Sequence, residues 1–356
     1  MKYYTIDRIH AEDAYYNIIF GARSNGKSTA VCKMLIDEFK QHGHKFGRIL
    51  RYANDAYDSL MQAWFDSDYL QNYVLETYGQ AIAFQYGEWF FYDPADDPNK
   101  KTIEKEVFGR YFILNSEFRY KSAQFDEITN LVFEEFVLLN PADYIPFEWE
   151  HFLSLVSTIN RHRDNLRVWF IGNTLNKSNP YFQGLGIKFE KLGIYPGKLV
   201  TMHNRQGVKY AIEYAKISYE AQSEIPMILR IDGNEIAYED GFAQDPNVYT
   251  EKELMLFLKR ANAVYAASLI NGSEEYGLYK VNITPKQLGW LVLKRWQMLG
   301  QKKDPIYIRL DNRLIEIDQK SGATVQYLKQ IHFDIRLCLF DDEQVKYLLF
   351  NCLRDY

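Results

Sequence analysis

The chain has 356 residues, of which 47% are hydrophobic, 16% aromatic and 25% charged, and its formal net charge at pH 7 is −5. This length suits two domains, and this composition suits a globular protein with a core rich in aromatic rings. The negative net charge excludes a general basic surface for nucleic acid, so any contact with DNA has to be local.

Cysteine content and hydropathy limit the cellular compartment. The three cysteines, Cys32, Cys338 and Cys352, form no C-x-x-C pair, which favours a reducing compartment over a disulfide framework. Residues 1–8 contain no apolar signal region, and the sequence has no run of about 20 apolar residues. We therefore expect no membrane span and a cytoplasmic location in the cell that makes the protein.

The first motif is Gly21-Ala22-Arg23-Ser24-Asn25-Gly26-Lys27-Ser28, which matches G-x-x-x-x-G-K-[ST] at every fixed position. A predicted strand over 16–20 precedes it and a predicted helix over 29–39 follows, which is the context that a phosphate-binding loop requires. Its glycines let backbone N–H groups surround a polyphosphate at a helix N-terminus. Lys27 is predicted to reach the β- and γ-phosphates, and Ser28 to offer its hydroxyl to Mg²⁺. The alternative is a glycine turn that matches by chance.

The next elements are a strand over 46–52 and a helical region over 55–80, with core candidates Leu60, Trp64, Leu70 and Val74. Arg51, near the end of the strand, either contacts the nucleotide or forms a surface salt bridge. Alternating apolar residues over 81–92 and 106–114 flank a polar turn and predict an antiparallel hairpin, inserted between the motifs.

A second motif follows the apolar strand predicted over 128–133, which ends in Glu134 and Glu135. Acids at the carboxyl end of a buried parallel strand lie where a doubly wound sheet binds ligands. Glu134 is predicted to hold Mg²⁺, and Glu135 to polarise the attacking water. The pattern usually has Asp first, and Glu134 is one methylene longer. Asp126-Glu127 is a competing pair behind a poorer strand, and a solvated acidic strand end is the bland alternative.

An amphipathic helix is predicted over 146–160, and it ends at Arg161-His162-Arg163. These cations either complement the helix C-terminus or supply an arginine finger to a neighbouring subunit. A strand over 166–171 then leads to Asn173, which either orients water near the γ-phosphate or forms a turn. The predicted nucleotide-binding residues are Gly21, Ala22, Arg23, Ser24, Asn25, Gly26, Lys27, Ser28, Thr29 and Asn173.

The remaining sequence predicts a lid over 184–196, a charged helical connector over 210–224 and then an α+β pattern with a hairpin around residues 311–313. We expect an ATPase domain with its lid over 1–204, a helical linker over 205–228 and a smaller domain over 229–356. Helices in the smaller domain are predicted over 252–267, 284–299 and 343–353. This domain has four candidate acids, whose spacing does not form a convincing two-metal site: Asp232, Asp311, Asp318 and Asp334.

These residues resemble the DNA-packaging ATPases of small podovirus-type tailed bacteriophages. Such proteins carry a G-A-R-x-x-G-K-S loop, an apolar strand that ends in two acids, and an R-x-R followed by a strand ending in a small residue and Asn. N-P-Y-F comes next, here Asn179-Pro180-Tyr181-Phe182, and order and spacing agree over roughly residues 15–185.

The resemblance implies an α/β fold: a P-loop (ASCE-type) doubly wound, mainly parallel sheet with a β-hairpin insertion, followed by a small α+β ribonuclease H-like domain without nuclease activity. It implies a homo-oligomeric ring, expected as a pentamer, that hydrolyses ATP with Mg²⁺ and drives double-stranded DNA into a preformed capsid. The ring would dock on the capsid portal, directly or through a packaging RNA, so the protein would lie in the host cytoplasm and transiently at the procapsid portal vertex.

The resemblance also implies roles for individual residues. It makes Arg161 the arginine finger that acts in trans, with Arg163 as the second choice, and Arg23 a basic residue that acts in cis. It places Lys121 at the DNA pore, where a phosphate contact would position DNA without reading its sequence; an exposed lysine without such a role is the alternative. Two other functions compete: a monomeric P-loop enzyme such as a small-molecule kinase, and a DNA-binding scaffold with an inactive ATPase.

Overall fold

A computed structural model describes residues 3–23, 25–100, 103–138, 143–173, 179–187 and 192–216, together with six strands beyond residue 263. The chain divides into two units, residues 1–139 with 147–243, and residues 140–146 with 244–356. No helix among these described residues is both long and apolar enough to cross a membrane.

The first unit is built on a nine-stranded sheet in the order β3-β4-β5-β2-β6-β7-β1-β9-β8. The six strands from β5 to β9 in this order are parallel, whereas β3, β4 and β8 pair antiparallel with their neighbours. This mixed α/β architecture with a large, mostly parallel sheet confirms the predicted fold class. The strands are β1 (Tyr16–Gly21), β2 (Lys45–Leu50), β3 (Ala81–Gln85), β4 (Glu88–Tyr92), β5 (Glu106–Ile113), β6 (Ile128–Glu134), β7 (Arg167–Asn173), β8 (Leu199–His203) and β9 (Lys209–Ala215).

Alternate residues of each strand point to opposite sides of the sheet. Both faces are apolar, and helices cover both of them. Trp169 and Ile171 of β7 lie in one hydrophobic cluster with Val31 of α2, whereas Phe170 between them lies 5.1 Å from the ring of Phe152 in α5. The core is rich in aromatic rings, as the composition predicted. The helices are α1 (Asp7–His10), α2 (Lys27–His42), α3 (Asp58–Ala63), α4 (Asp68–Tyr78), α5 (Glu148–Asn160) and α6 (Pro180–Gly184), with short 3₁₀ helices at Ala53–Asp55 and Leu114–Tyr120.

Two predictions for the region after β2 need correction. The apolar segment 81–92 is two strands, because Tyr86 (φ +53) and Gly87 (φ +86) turn the chain between them. The antiparallel pairing predicted across the polar turn is confirmed, since β4 pairs antiparallel with β5. Because β5 also pairs in parallel with β2, this hairpin is an extension of the main sheet rather than a separate insertion. Leu60 was expected in the core, yet it is 55% exposed.

The connector predicted to be helical is also wrong over its first part. Lys209–Ala215 forms β9, a buried strand parallel to β1, in which Ile212 pairs with Ile18. Glu213 gave this segment its charged character, but it is only 3% exposed and accepts a 2.7 Å hydrogen bond from the Tyr4 hydroxyl. The main sheet therefore extends at least to Ala215, and the domain boundary does not fall at residue 204.

The second unit contains a six-stranded sheet in the order β14-β13-β10-β11-β12-β15. The predicted hairpin around residues 311–313 is confirmed, since β13 and β14 pair antiparallel. The helix predicted over 284–299 is wrong, because Gln287–Lys294 pairs antiparallel with β11, and the end of the helix predicted over 252–267 is part of β10. The strands are β10 (Val264–Asn271), β11 (Glu274–Thr284), β12 (Gln287–Lys294), β13 (Tyr307–Asp311), β14 (Leu314–Ile317) and β15 (Cys338–Phe340).

Some predicted elements lie outside the described residues. They are the connector beyond residue 216, the helix over 343–353, most of the helix over 252–267, and residues 188–191 of the expected lid. Of the four acids considered for a two-metal set, Asp311 is the last residue of β13, and the other three lie outside the described residues.

Candidate nucleotide-binding site

The phosphate-binding sequence forms the turn between β1 and α2, and its glycines adopt backbone angles that other residues rarely adopt. Gly26, just before α2, has φ +89, and Gly21 at the end of β1 has φ +156. A Cβ atom on Gly21 would lie 2.2 Å from the carbonyl oxygen of Ala215. Both its backbone angle and its neighbour in β9 therefore require glycine at position 21.

The ammonium group of Lys27 is buried inside this turn. It donates hydrogen bonds to the carbonyl oxygens of Gly21 (3.1 Å) and Ala22 (2.6 Å), and to Oδ1 of Asn25 (3.2 Å). The Nδ2 atom of Asn25 donates to the carbonyl oxygen of Ala215 at 3.3 Å. These contacts hold a positive charge at the N-terminus of α2, where the helix dipole also favours anions.

The acid pair and Asn173 lie at the same edge of the sheet as the loop. Glu134 is the last residue of β6, and Glu135 follows it with φ +51. The strand β7 lies between β6 and β1, and its last residue, Asn173, pairs with Gly21. Because these strands are parallel, their carboxyl ends meet beside the start of α2.

A cavity of about 660 Å³ lies at this edge. The competing pair Asp126-Glu127 does not line it, and Glu127 lies 3.7 Å from Arg110 instead. Gly21 and Ala22 contribute their carbonyl groups to Lys27, and Ser24 lies outside the described residues. Nine predicted site residues line the cavity: Arg23, Asn25, Gly26, Lys27, Ser28, Thr29, Glu134, Glu135 and Asn173.

Two of these residues suit a magnesium ion. The Ser28 hydroxyl and the Glu134 carboxylate offer the oxygen ligands that Mg²⁺ prefers. Within the described parts of the chain, no group of three or more His, Cys, Asp and Glu residues is placed to hold a metal ion. One hydroxyl and one carboxylate fit a cation that takes its other ligands from phosphate and water.

The comparison with known proteins decides the family. The family model described as podovirus DNA encapsidation protein (Gp16) matches residues 1–255. The chain belongs to this family. Membership confirms the resemblance seen in the sequence, and with it DNA packaging as the function.

The relatives of this chain have low sequence identity to it, but the matched segments are long. The DNA packaging protein of Bacillus phage B103 is 25% identical over 256 residues, which cover 67% of this chain and 68% of that protein. The DNA packaging protein of Bacillus phage phi29 is 22% identical over 254 residues, which cover 70% and 69%. Among solved structures, a chain of the bacteriophage Phi-29 viral genome packaging motor assembly has a TM-score of 0.57 at 16% identity, covering 99% of both chains, which shows a shared fold.

A buried ion pair fixes the backbone of the acid pair in this encapsidation protein. Arg51 donates to the Glu148 carboxylate through Nε (3.1 and 2.9 Å) and through Nη2 (2.7 Å), so it forms a buried salt bridge rather than a surface one. It also donates to the carbonyl oxygens of Glu135 (3.2 Å) and Phe136 (3.4 Å). Tyr181 of the N-P-Y-F motif donates from its hydroxyl to Glu148 at 2.6 Å.

A second arginine, which lies within β2, contacts the first acid. The Nη2 atom of Arg48 donates to Oε2 of Glu134 at 2.9 Å, and its guanidinium carbon lies 4.4 Å from the ring centre of Trp64. Arg48 was not among the predicted site residues. A signal for it was present in the sequence nonetheless, because Arg48 is a charged residue between the apolar residues of a strand that pairs with β6.

The R-x-R residues at the end of α5 do not line the cavity of their own chain. Arg161 is partly exposed, and its Nη2 atom donates to the carbonyl oxygen of the exposed Lys121 at 2.8 Å. Arg163 is instead bound to five backbone carbonyl groups, those of Phe125, Asp126, Ile128, Ile159 and Asn160.

Three further lining residues follow β2 and were not predicted to belong to the site: Asp55, Leu60 and Met61. The exposure of Leu60 is explained by this position, since its side chain faces the cavity rather than the core. The signal that would have found them is topological. Residues that follow a parallel strand next to β6 lie at the same edge as the acids.

Proposed function

We propose that this chain is the ATP-hydrolysing subunit of a ring-shaped motor, with five subunits, that moves double-stranded DNA into a preformed capsid. The observation that carries the proposal is the convergence of the Lys27 loop, the acid pair and Asn173 on one cavity, in a member of a DNA encapsidation family. The strand order, with β7 between the loop strand β1 and the acid-bearing β6, supports a P-loop ATPase of the ASCE type.

In this mechanism the loop binds the polyphosphate of ATP through its N–H groups and through Lys27. Ser28 and Glu134 would hold Mg²⁺, which neutralises charge on the phosphate oxygens. Glu135 is exposed at the cavity, where its carboxylate would orient and polarise the attacking water. Asn173 would hold the same water or the γ-phosphate, and Arg23 would supply a further positive charge in cis.

The position of Arg161 supports a finger that acts on a neighbouring subunit. The helix α5 has 13 residues, so Arg161 at its end lies about 20 Å from Glu148 at its start, beside the cavity. A group so far from its own cavity has to act elsewhere or not at all. Arg163 is the poorer candidate because five carbonyl groups already bind its guanidinium.

The proposed partners are DNA, other copies of the chain and the capsid portal, with or without a packaging RNA. Lys121 is exposed at the end of a 3₁₀ helix and is available to contact a DNA phosphate. The second unit, with three consecutive antiparallel strands and β13 parallel to the first of them, supports a ribonuclease H-like domain without nuclease activity. Such a protein would act in the host cytoplasm and, during packaging, at the portal vertex.

The test is an ATPase assay with mixed variants. Lys27→Ala chains and Arg161→Ala chains should each be inactive alone, and mixing them should restore part of the turnover at interfaces that combine an intact loop with an intact finger. Turnover of the unaltered chain should rise steeply with protein concentration and with added duplex DNA. Absence of rescue at every ratio would refute the trans role of Arg161. A turnover per chain that is unchanged on dilution and by DNA would favour a monomeric P-loop enzyme such as a kinase.

A further inference from the structure

Arg48 and Glu134 lie on the same face of the main sheet. In the parallel pairing of β2 with β6, Arg48 is opposite Val132, and Glu134 is two residues further along β6. Residues two apart on a strand point to the same side. Val132 belongs to the hydrophobic cluster that packs against α2, so Arg48 and Glu134 lie on the side of the sheet where α2 carries Ser28.

The contact between the two side chains is protected and well defined. Each side chain is 15% exposed, and the Nη2–Oε2 distance is 2.9 Å. The guanidinium lies over the ring of Trp64, 4.4 Å from its centre, and its Nε and Nη1 atoms are buried without a hydrogen-bond partner among the described residues. Glu134 is thus the hydrogen-bond acceptor that the described chain offers this arginine, which makes the pair hard to replace.

We propose that Arg48 is a positioning residue that competes with the cation for the Glu134 carboxylate. The inference rests on the proposed ATPase function, because the competition matters only if Glu134 is a ligand of nucleotide-bound Mg²⁺. Arg48 holds the carboxylate through Oε2, and Oε1 has no hydrogen bond within the described residues. A divalent cation at the carboxylate is repelled by the guanidinium beside it, so the pair weakens metal binding.

The length of the Glu134 side chain allows contact with both Arg48 and a cation. Arg48 is level with Val132, which lies two residues before Glu134 on β6. The long arginine side chain spans this distance of about 6.6 Å along the strands. Aspartate, the usual residue here, would withdraw the carboxylate by about 1.5 Å. A glutamate can contact both the arginine on its own sheet face and a cation in the cavity. Glutamate in place of aspartate is therefore linked to the presence of Arg48 and is not a neutral substitution.

The consequence is a site that releases its cation more readily. Ion pairing with Arg48 stabilises the carboxylate when no metal is bound, and a bound cation repels the guanidinium, so the free-energy gain of binding the metal is smaller than it would be without the arginine. In an ATPase that turns over repeatedly, weaker retention of Mg²⁺ with the product nucleotide favours exchange.

The experiment measures binding rather than turnover. A fluorescent ADP analogue is titrated onto the full-length protein at a series of Mg²⁺ concentrations, and the Mg²⁺ concentration that gives half of the affinity increase is recorded. For Arg48→Met we expect this concentration to fall roughly fivefold, because a partly buried, charge-assisted hydrogen bond no longer competes. Arg48→Gln, which keeps a donor without the charge, should give a smaller fall in the same direction.

Two further variants make the result specific. Arg110→Met is the matched control, because Arg110 also lies on a strand of this sheet and pairs with Glu88 at 2.9 Å but does not line the cavity; its half-effect concentration should be unchanged. The half-effect Mg²⁺ concentration of the double variant Arg48→Met, Glu134→Asp should differ by less than twofold from that of Glu134→Asp alone, since the shorter acid no longer reaches the arginine. An unchanged or raised concentration in Arg48→Met would overturn the inference. If the unaltered chain shows no Mg²⁺-dependent nucleotide affinity, the proposed ATPase function itself fails.

Discussion

The substitution Glu148→Gln tests the buried network that surrounds the acid pair. Glu148 is 2% exposed and accepts three hydrogen bonds from Arg51 and one from the Tyr181 hydroxyl. Glutamine preserves the shape of the side chain but removes the charge that compensates the Arg51 guanidinium. Removing one partner of a buried ion pair costs about 3–5 kcal/mol, because the other charge stays buried without compensation.

We expect the lower end of that range, about 3 kcal/mol, since the amide oxygen of glutamine and the carbonyl groups of Glu135 and Phe136 still accept from Arg51. For a unit of more than 150 residues this corresponds to a decrease in melting temperature of about 6–12 °C. The catalytic effect should be separate. If Arg51 shifts, the Glu135 backbone shifts with it, and we expect kcat to fall about tenfold while KM changes less than twofold, because the loop that binds the phosphates is untouched.

The assays are thermal unfolding and steady-state phosphate release at a temperature well below the lower midpoint. Glu88→Gln is the control, because Glu88 also pairs with an arginine at 2.9 Å but its side chain is 38% exposed, and it should cost about 0.5 kcal/mol or less. Equal destabilisation by the two substitutions would refute the reasoning about burial. A Glu148→Gln protein that is destabilised but has normal kcat would refute the positioning of Glu135.

Two other changes give contrasting outcomes. Arg163→Met should destabilise the protein by about 3 kcal/mol, because five backbone carbonyl groups lose a charged donor, whereas Arg161→Met should cost about 1 kcal/mol or less for one hydrogen bond; urea unfolding measures both, and equal effects would contradict the geometry. Burial raises the pKa of Glu213 above its ordinary value of 4.5, so its contribution to stability is present below that pH and is lost as the pH rises through the raised pKa. The melting temperature of Glu213→Gln minus that of the unaltered protein should therefore rise, by a few degrees at most, between about pH 4 and about pH 7.5. A difference that stays constant over this range would contradict the prediction.

Local signals predicted the part of the fold that holds the nucleotide. The loop with its flanking strand and helix, the strand that ends in Glu134 and the helix before Arg161 were each visible as one uninterrupted pattern, and the structure has them as β1, α2, β6 and α5. These elements contain their own start and stop signals, so no knowledge of the tertiary neighbours was needed.

The failures arose where tertiary pairing decided the outcome. The segment around Glu213 looked like a charged helix, but pairing with β1 and a hydrogen bond from Tyr4 make it a buried strand. Gln287–Lys294 has the apolar content of a helix and becomes a strand through β11. Arg48 and Glu148 were missed for a related reason, since the role of each depends on a partner that is 86 or 97 residues away in sequence.

The strand β2 contains no motif, yet Arg48 within it and Arg51 directly after it contact both members of the acid pair from opposite faces of the sheet. Arg48 binds the carboxylate of Glu134 on the face that packs against α2. Arg51 binds the backbone of Glu135 on the face that packs against α5, through an ion pair with the first residue of that helix. Because a helix transmits displacement along its axis as a rigid body, a change at Glu135 that alters the Arg51–Glu148 pair would move Arg161 at the other end of α5. In the proposed ring, this connection would link the state of one nucleotide cavity to the finger that serves the next, without any contact between the two nucleotides.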